Sequence, residues 1–151
     1  MRKTLLVVLL LCGLVPARAT PSGGVVVADA YVRAVPPGQP NSAAFMVLDN
    51  RGGEPRALVA ATSPVAEVVE LHTHDEAGGM MRMRRIERIE LPAGESVRLA
   101  PGGLHVMLIG LRQPLSGEVP VTLELELDDG TRIEVEAPVR APAAGVRHHA
   151  H

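Results

Sequence analysis

Outside its last four residues the chain has only three histidines, His72, His74 and His105, and three of its six methionines fall together at Met80, Met81 and Met83. Methionine is ordinarily a filler of apolar cores. This cluster fits that role badly. It follows the polar run Asp75-Glu76-Ala77-Gly78-Gly79 and is interleaved with Arg82, Arg84 and Arg85, which sets one side of the segment in water. His72 and His74 are two residues apart, as are His105 and Met107, so each pair shares a face wherever the backbone is a strand. Thioether sulfur and imidazole nitrogen together suit Cu(I), a soft ion, whereas Zn(II) prefers thiolate, imidazole or carboxylate.

What the chain lacks narrows the chemistry further. Its one cysteine, Cys12, lies in an apolar stretch from Thr4 to Val15 that follows the basic Met1-Arg2-Lys3 and precedes Pro16-Ala17-Arg18-Ala19. That pattern is a secretory signal peptide over residues 1–19, cut after Ala19. A run of about 12 apolar residues is too short to cross ~30 Å of hydrocarbon as a helix. A lipid anchor on Cys12 is disfavoured because Leu11 stands where a lipobox takes a small residue. The exported chain is therefore expected in the periplasm or another extracytoplasmic space, with no membrane insertion of its own. Without cysteine it has no disulfide, no thiolate site and no blue-copper centre. Cleavage removes three cations and no acid, leaving 12 Arg against 17 Asp and Glu. Such an acidic domain gains nothing from counterion release, so nucleic acid is excluded as a partner.

The elements that must position these side chains read as β-strands. Short apolar segments rich in Val, Ile and Leu are separated by Gly, Pro or Asp-Gly. The spacing predicts strands over Val25–Arg33, Ala43–Asp49, Arg56–Ala61, Val65–Leu71, Met81–Ile86, Ser96–Leu99, His105–Leu111, Val119–Leu127 and Thr131–Val139. Asp128-Asp129-Gly130 reads as the hairpin turn between the last two. No window sustains a helical period. About nine strands at this spacing point to an all-β sandwich or Greek-key barrel. One domain is expected over residues 20–140, with the strand ends carrying His-x-His and His-x-Met converging at one end of the sandwich. Residues 141–151 read as a flexible tail containing His148, His149 and His151.

The spacing of the donors resembles that of the periplasmic copper chaperones of the PCu(A)C type, whose motif is a His, ten residues, a Met, twenty-one residues, then His-x-Met. His72, Met83 and His105-Val106-Met107 stand at those intervals. Each match is about a 4 % event by composition, so the three together are on the order of one in ten thousand per starting His. The surrounding wording is similar too, including Ala30-Tyr31-Val32-Arg33-Ala34, Met81-Arg82-Met83-Arg84 and Pro101-Gly102-Gly103-Leu104-His105. The resemblance spans about Val25 to Val139. It implies a cupredoxin-like Greek-key sandwich with a surface Cu(I) site made by His72, Met83, His105 and Met107. It also implies copper delivery toward the binuclear centre of cytochrome c oxidase subunit II, alongside Sco-type proteins. His74 and Met80 fall outside the motif and read as spare donors or, preferably, as turn and packing residues. The tail histidines read equally as a second site, for Cu(II), or as incidental residues of a loose end.

Two other readings are open from the residues alone. His72, His74 and His105 with an open position make a three-His catalytic metal site. A metal-free structural sandwich is the other, since fold does not imply function.

Overall fold

A computed structural model describes residues 24–142. The signal peptide expected over residues 1–19 and the tail histidines His148, His149 and His151 lie outside the described residues. Eleven strands account for the architecture: β1 (Val25–Arg33), β2 (Asn41–Asn50), β3 (Arg56–Thr62), β4 (Ala66–Ala77), β5 (Met80–Ile86), β6 (Ile89–Leu91), β7 (Ser96–Leu99), β8 (His105–Leu111), β9 (Val121–Leu127), β10 (Arg132–Ala137) and β11 (Val139–Arg140). They form a seven-stranded sheet in the order β11-β1-β2-β8-β4-β5, with β7 on β2, and a four-stranded sheet in the order β10-β9-β3-β6. The described residues contain no helix.

Departures from the strands predicted by spacing each have a local cause. The last expected strand splits at Pro138, which has no N–H to give the ladder. Its carbonyl instead accepts from the Val32 amide at 2.9 Å, and the chain crosses to pair with β1 as β11. β9 starts after Pro120, as a strand interior excludes proline. β6 has only three residues, too few for an alternation to be recognised. The most consequential departure is β4. It does not stop at Leu71 but runs on to Ala77, and Gly78-Gly79 alone makes the turn into β5. Both glycines have positive φ, 61° and 75°, which is what a tight two-residue hairpin of the primed type requires.

The two sheets close over one apolar core. Leu48, Leu99, Val106 and Leu108 from the larger sheet meet Leu58, Leu91, Leu123 and Leu125 from the smaller, all essentially inaccessible to solvent. Asn50, at the end of β2, is the polar exception. Its side-chain amide donates to the carbonyls of Leu91 and Glu54, and its Oδ1 accepts from Gly52 N–H, so burying it leaves no group unpaired.

Near the middle of β1 a bulge interrupts the register with β2 between Ala28 and Tyr31, and Asp29 there adopts φ 52°. One extra residue reverses the parity of the strand. Val25 and Val27 pack on the core before it and Ala30 and Val32 after it, so Tyr31 and Arg33 turn to the outer face of the larger sheet.

Truncating the core side of β8 is expected to separate fold from site. Leu108→Ala, at a fully buried position, should cost about 2–5 kcal/mol in urea unfolding. The same variant should keep the parent chain's histidine ring NMR signals, because its neighbours His105 and Met107 are set on the strand by alternation and Met107 faces the other way.

Candidate metal centre

The period-two alternation of β4, β5 and β8 gathers the candidate donors on the outer face of the larger sheet. On β4, Glu70, His72 and His74 face outward, while Leu71 points into the core. The ladder with β8 sets His72 directly opposite His105 and Glu70 opposite Met107. The ladder with β5 sets His74 opposite Met83 and His72 opposite Arg85. The donors thus meet where β8 begins, at the last rung of its ladder with β4, but not at the end of β4, which runs on past them with β5. The extension of β4 past Leu71 is the reason: His72 and His74 are mid-strand residues. Met83 and Met107 line the same open cavity of about 460 Å³, together with His74, His105, Phe45, Arg33 and Pro101.

His105 is the centre of the cluster. It is only 3 % exposed, beneath Phe45, whose ring centroid is 6.3 Å away. The rings of His74 and His72 lie at 5.1 and 5.7 Å. Its Nδ1 is 3.0 Å from the Gly103 carbonyl, an acceptor that requires the proton to be on Nδ1. In the neutral ring Nε2 then carries a bare lone pair. That nitrogen is 3.2 Å from the Met83 sulfur, which has no proton to offer either. Two lone pairs facing each other are not a hydrogen bond. They are two adjacent lone-pair donors of the kinds that suit a soft cation.

Burial, above all, holds the His105 imidazole below its usual range. The Gly103 contact works in the opposite direction, and the nearby His74, His72 and Arg33 charges again disfavour a proton. The ring is thus kept in the neutral form that binds a metal. His72 is prepared in a second way. Its Nε2 donates to Glu70 Oε2 at 2.8 Å, which leaves Nδ1 as the free donor, and that atom is buried without a partner. A carboxylate behind a ligating imidazole orients the ring and fixes its tautomer. Hydrogen bonding from His72, then the Arg85 charge, holds the Glu70 carboxyl below its ordinary value against the opposing effect of burial.

Of the residues singled out by sequence, His72, Met83, His105 and Met107 are on this face, and so is His74. Met80 is not. It pairs with Ala77, and the alternation of β5 sends it to the opposite side with Arg82 and Arg84. Met81, opposite Glu76, takes the site side instead. Glu70, Phe45 and Arg33 were not singled out. The alternation Glu70-x-His72-x-His74 was a signal for the first. Nothing local marks the other two, whose place depends on sheet order and on the β1 bulge. Among the described residues, no three His, Cys, Asp or Glu side chains converge tightly enough to hold a metal by themselves. The cluster needs its sulfurs.

The depressed His105 value makes a signed prediction for the metal-free protein. Its stabilising contribution is complete above the unfolded value of 6.5. The unfolded chain takes up the proton first as the pH falls below that, so stability declines until the native ring titrates as well. Urea midpoints should fall between pH 7.5 and 4.5, and His105→Gln should remove part of that slope. A slope unchanged by the substitution would assign the pH dependence to another group.

The family model described as "Putative lipoprotein LpqE-like" matches residues 25–139. "Putative lipoprotein Lxx21020" of Leifsonia xyli subsp. xyli is 35% identical over 130 residues, covering 83% of this chain and 77% of that protein. Among solved structures, Cu(I)-DR1885 of Deinococcus radiodurans is 37% identical, with a TM-score of 0.63 over 82% of this chain and 81% of that one. The apo form of the same protein is similar over 94% and 97% of the two chains, with a TM-score of 0.61. A copper-bound PCuAC domain from PmoF2 has a TM-score of 0.68 over 82% and 97%, at 23% identity, a likeness of fold. The sandwich is accordingly cupredoxin-like, and the chain belongs to the LpqE-like family, which is of the PCuAC type.

Proposed function

We propose that this chain is an exported Cu(I) metallochaperone, which holds one ion between His72, Met83, His105 and Met107 and passes it toward cytochrome c oxidase. The observation that carries this reading is the 3.2 Å approach of His105 Nε2 to Met83 Sδ, two unprotonated soft-metal donors. Its support from relatives is the Cu(I)-loaded DR1885 structure at 37% identity. Four neutral ligands hold a monovalent ion without adding charge, and they yield to incoming thiolates more readily than cysteine ligands do. Met83 is 47 % exposed, so an acceptor can reach its sulfur. Subunit II and Sco-type proteins, whose sites offer thiolate, are the acceptors this chemistry favours.

Export to the periplasm or cell envelope is supported by the leader pattern of residues 1–19 and by relatives named as lipoproteins. Leu11 before Cys12 favours release by cleavage over a lipid anchor. The mass of the mature chain distinguishes the two: cleavage after Ala19 begins the protein at Thr20, whereas lipidation begins it at a diacylated Cys12. A catalytic site built from His72, His74 and His105 alone is less favoured, because among the described residues no three His, Cys, Asp or Glu side chains stand closely enough to hold a metal.

The ligand set is tested by a Met83→Ala, Met107→Ala double variant. It should lose tight Cu(I) binding in a competition titration and keep a cooperative urea transition, since Met83 is exposed and neither side chain belongs to the core between the sheets. Wild-type affinity in that variant would overturn the assignment. X-ray absorption of the Cu(I) protein should show copper–sulfur scattering, which in a mature chain free of cysteine comes only from methionine. Anaerobic mixing with an apo subunit II domain should move the copper across; retention on this chain would point to storage.

A further inference from the structure

We infer that His74 is a fifth copper donor, binding through Nδ1, so that copper has a cavity-facing set of His74, Met83, His105 and Met107 besides the set containing His72. This inference rests on the copper reading above and extends it.

Four observations converge on His74. It lines the cavity with Met83, His105 and Met107, whereas His72 does not. It stands directly opposite Met83 in the β4–β5 ladder. Its ring is 5.1 Å from that of His105, closer than the 5.7 Å of His72. Its Nδ1 is shielded from solvent and has no hydrogen-bond partner. A shielded imidazole nitrogen without a partner is costly unless something occupies its lone pair. A turn or packing residue does not account for that atom. His72 is held differently, with Nε2 tied to the Glu70 carboxylate.

Two imidazoles on one strand face, one anchored and one facing the cavity, allow the ion to change partners without losing nitrogen ligation. His72 holds copper at the anchored position. His74 takes it up on the cavity side, beside the exposed Met83, where an acceptor approaches. No proton or electron moves in this exchange: one copper–nitrogen bond forms as another breaks.

Imidazole nitrogen NMR on the metal-free and Cu(I)-loaded full-length exported chain tests the assignment directly, since Cu(I) is diamagnetic. One equivalent of Cu(I) should shift His74 Nδ1 as well as the nitrogens of His72 and His105. In competition titrations His74→Gln should weaken Cu(I) binding by at least about tenfold, the loss that even a second-layer partner causes. His72→Gln should retain measurable binding, and the His72→Gln, His74→Gln double variant should bind more weakly than either. Circular dichroism and urea midpoints of each variant keep a folding defect apart from a ligand defect. An unmoved His74 Nδ1 together with wild-type affinity in His74→Gln overturns the fifth donor while leaving the copper reading intact. A wild-type chain that fails to take up Cu(I) overturns both.

Discussion

The antiparallel register that β4 keeps with β8 on one side and with β5 on the other is the constraint on which this centre depends. It sets His72 against His105, His74 against Met83 and Glu70 against Met107. Because side chains alternate across a strand, a slip of one residue in either ladder sends one set of donors into the core and brings Leu71 or Val106 to the surface. The core therefore guards the site. Leu71, Val106 and Leu108 are buried on one face of these strands, and the free energy that keeps them there fixes the position of the histidines and methionines on the other. A hairpin of two positive-φ glycines pins the β4–β5 register at its far end.

Around this ladder the outer sheet face is more protected than a solvated face usually is. Phe45 is 2 % exposed, and Tyr31 stacks on it at 5.2 Å while the Arg33 guanidinium lies over it at 5.1 Å. These are the only two aromatic residues of the chain, and both flank the site rather than filling the core between the sheets. They remove water from His105, which keeps its imidazole unprotonated. The positive charge of Arg33 acts in the same direction. On the opposite flank Met83 is open to solvent. The cluster is thus dry on the side of the His105 imidazole and open at the Met83 thioether.

The donors differ in how they are prepared. His105 is set by the Gly103 carbonyl and His72 by Glu70, each through one ring nitrogen that leaves the other free. Those contacts choose the tautomer before any ion arrives, so binding requires little rearrangement of either ring. His72 and His74 both leave a buried Nδ1 without a partner, but only His72 is held through its other nitrogen by Glu70.

The residue types and their intervals determined the chemistry: no cysteine in the expected mature chain, histidine and methionine at His72, Met83, His105 and Met107, and alternating apolar segments that can only be strands. Most strand limits were legible as well, since Gly and Pro punctuate them. Three features were decided by tertiary structure. The run from His72 to Ala77 is too polar to be recognised as a strand, and it becomes one because β5 supplies hydrogen-bond partners along its length, with β8 pairing at His72. Met81 rather than Met80 shares the site's face, a matter of parity that depends on where the turn falls. The shelter over His105 comes from Phe45 and Arg33, sixty and seventy-two positions away, brought there by sheet order and by the β1 bulge. Local sequence carries period and propensity, but only long-range pairing sets which residues stand opposite one another and which are shielded from water.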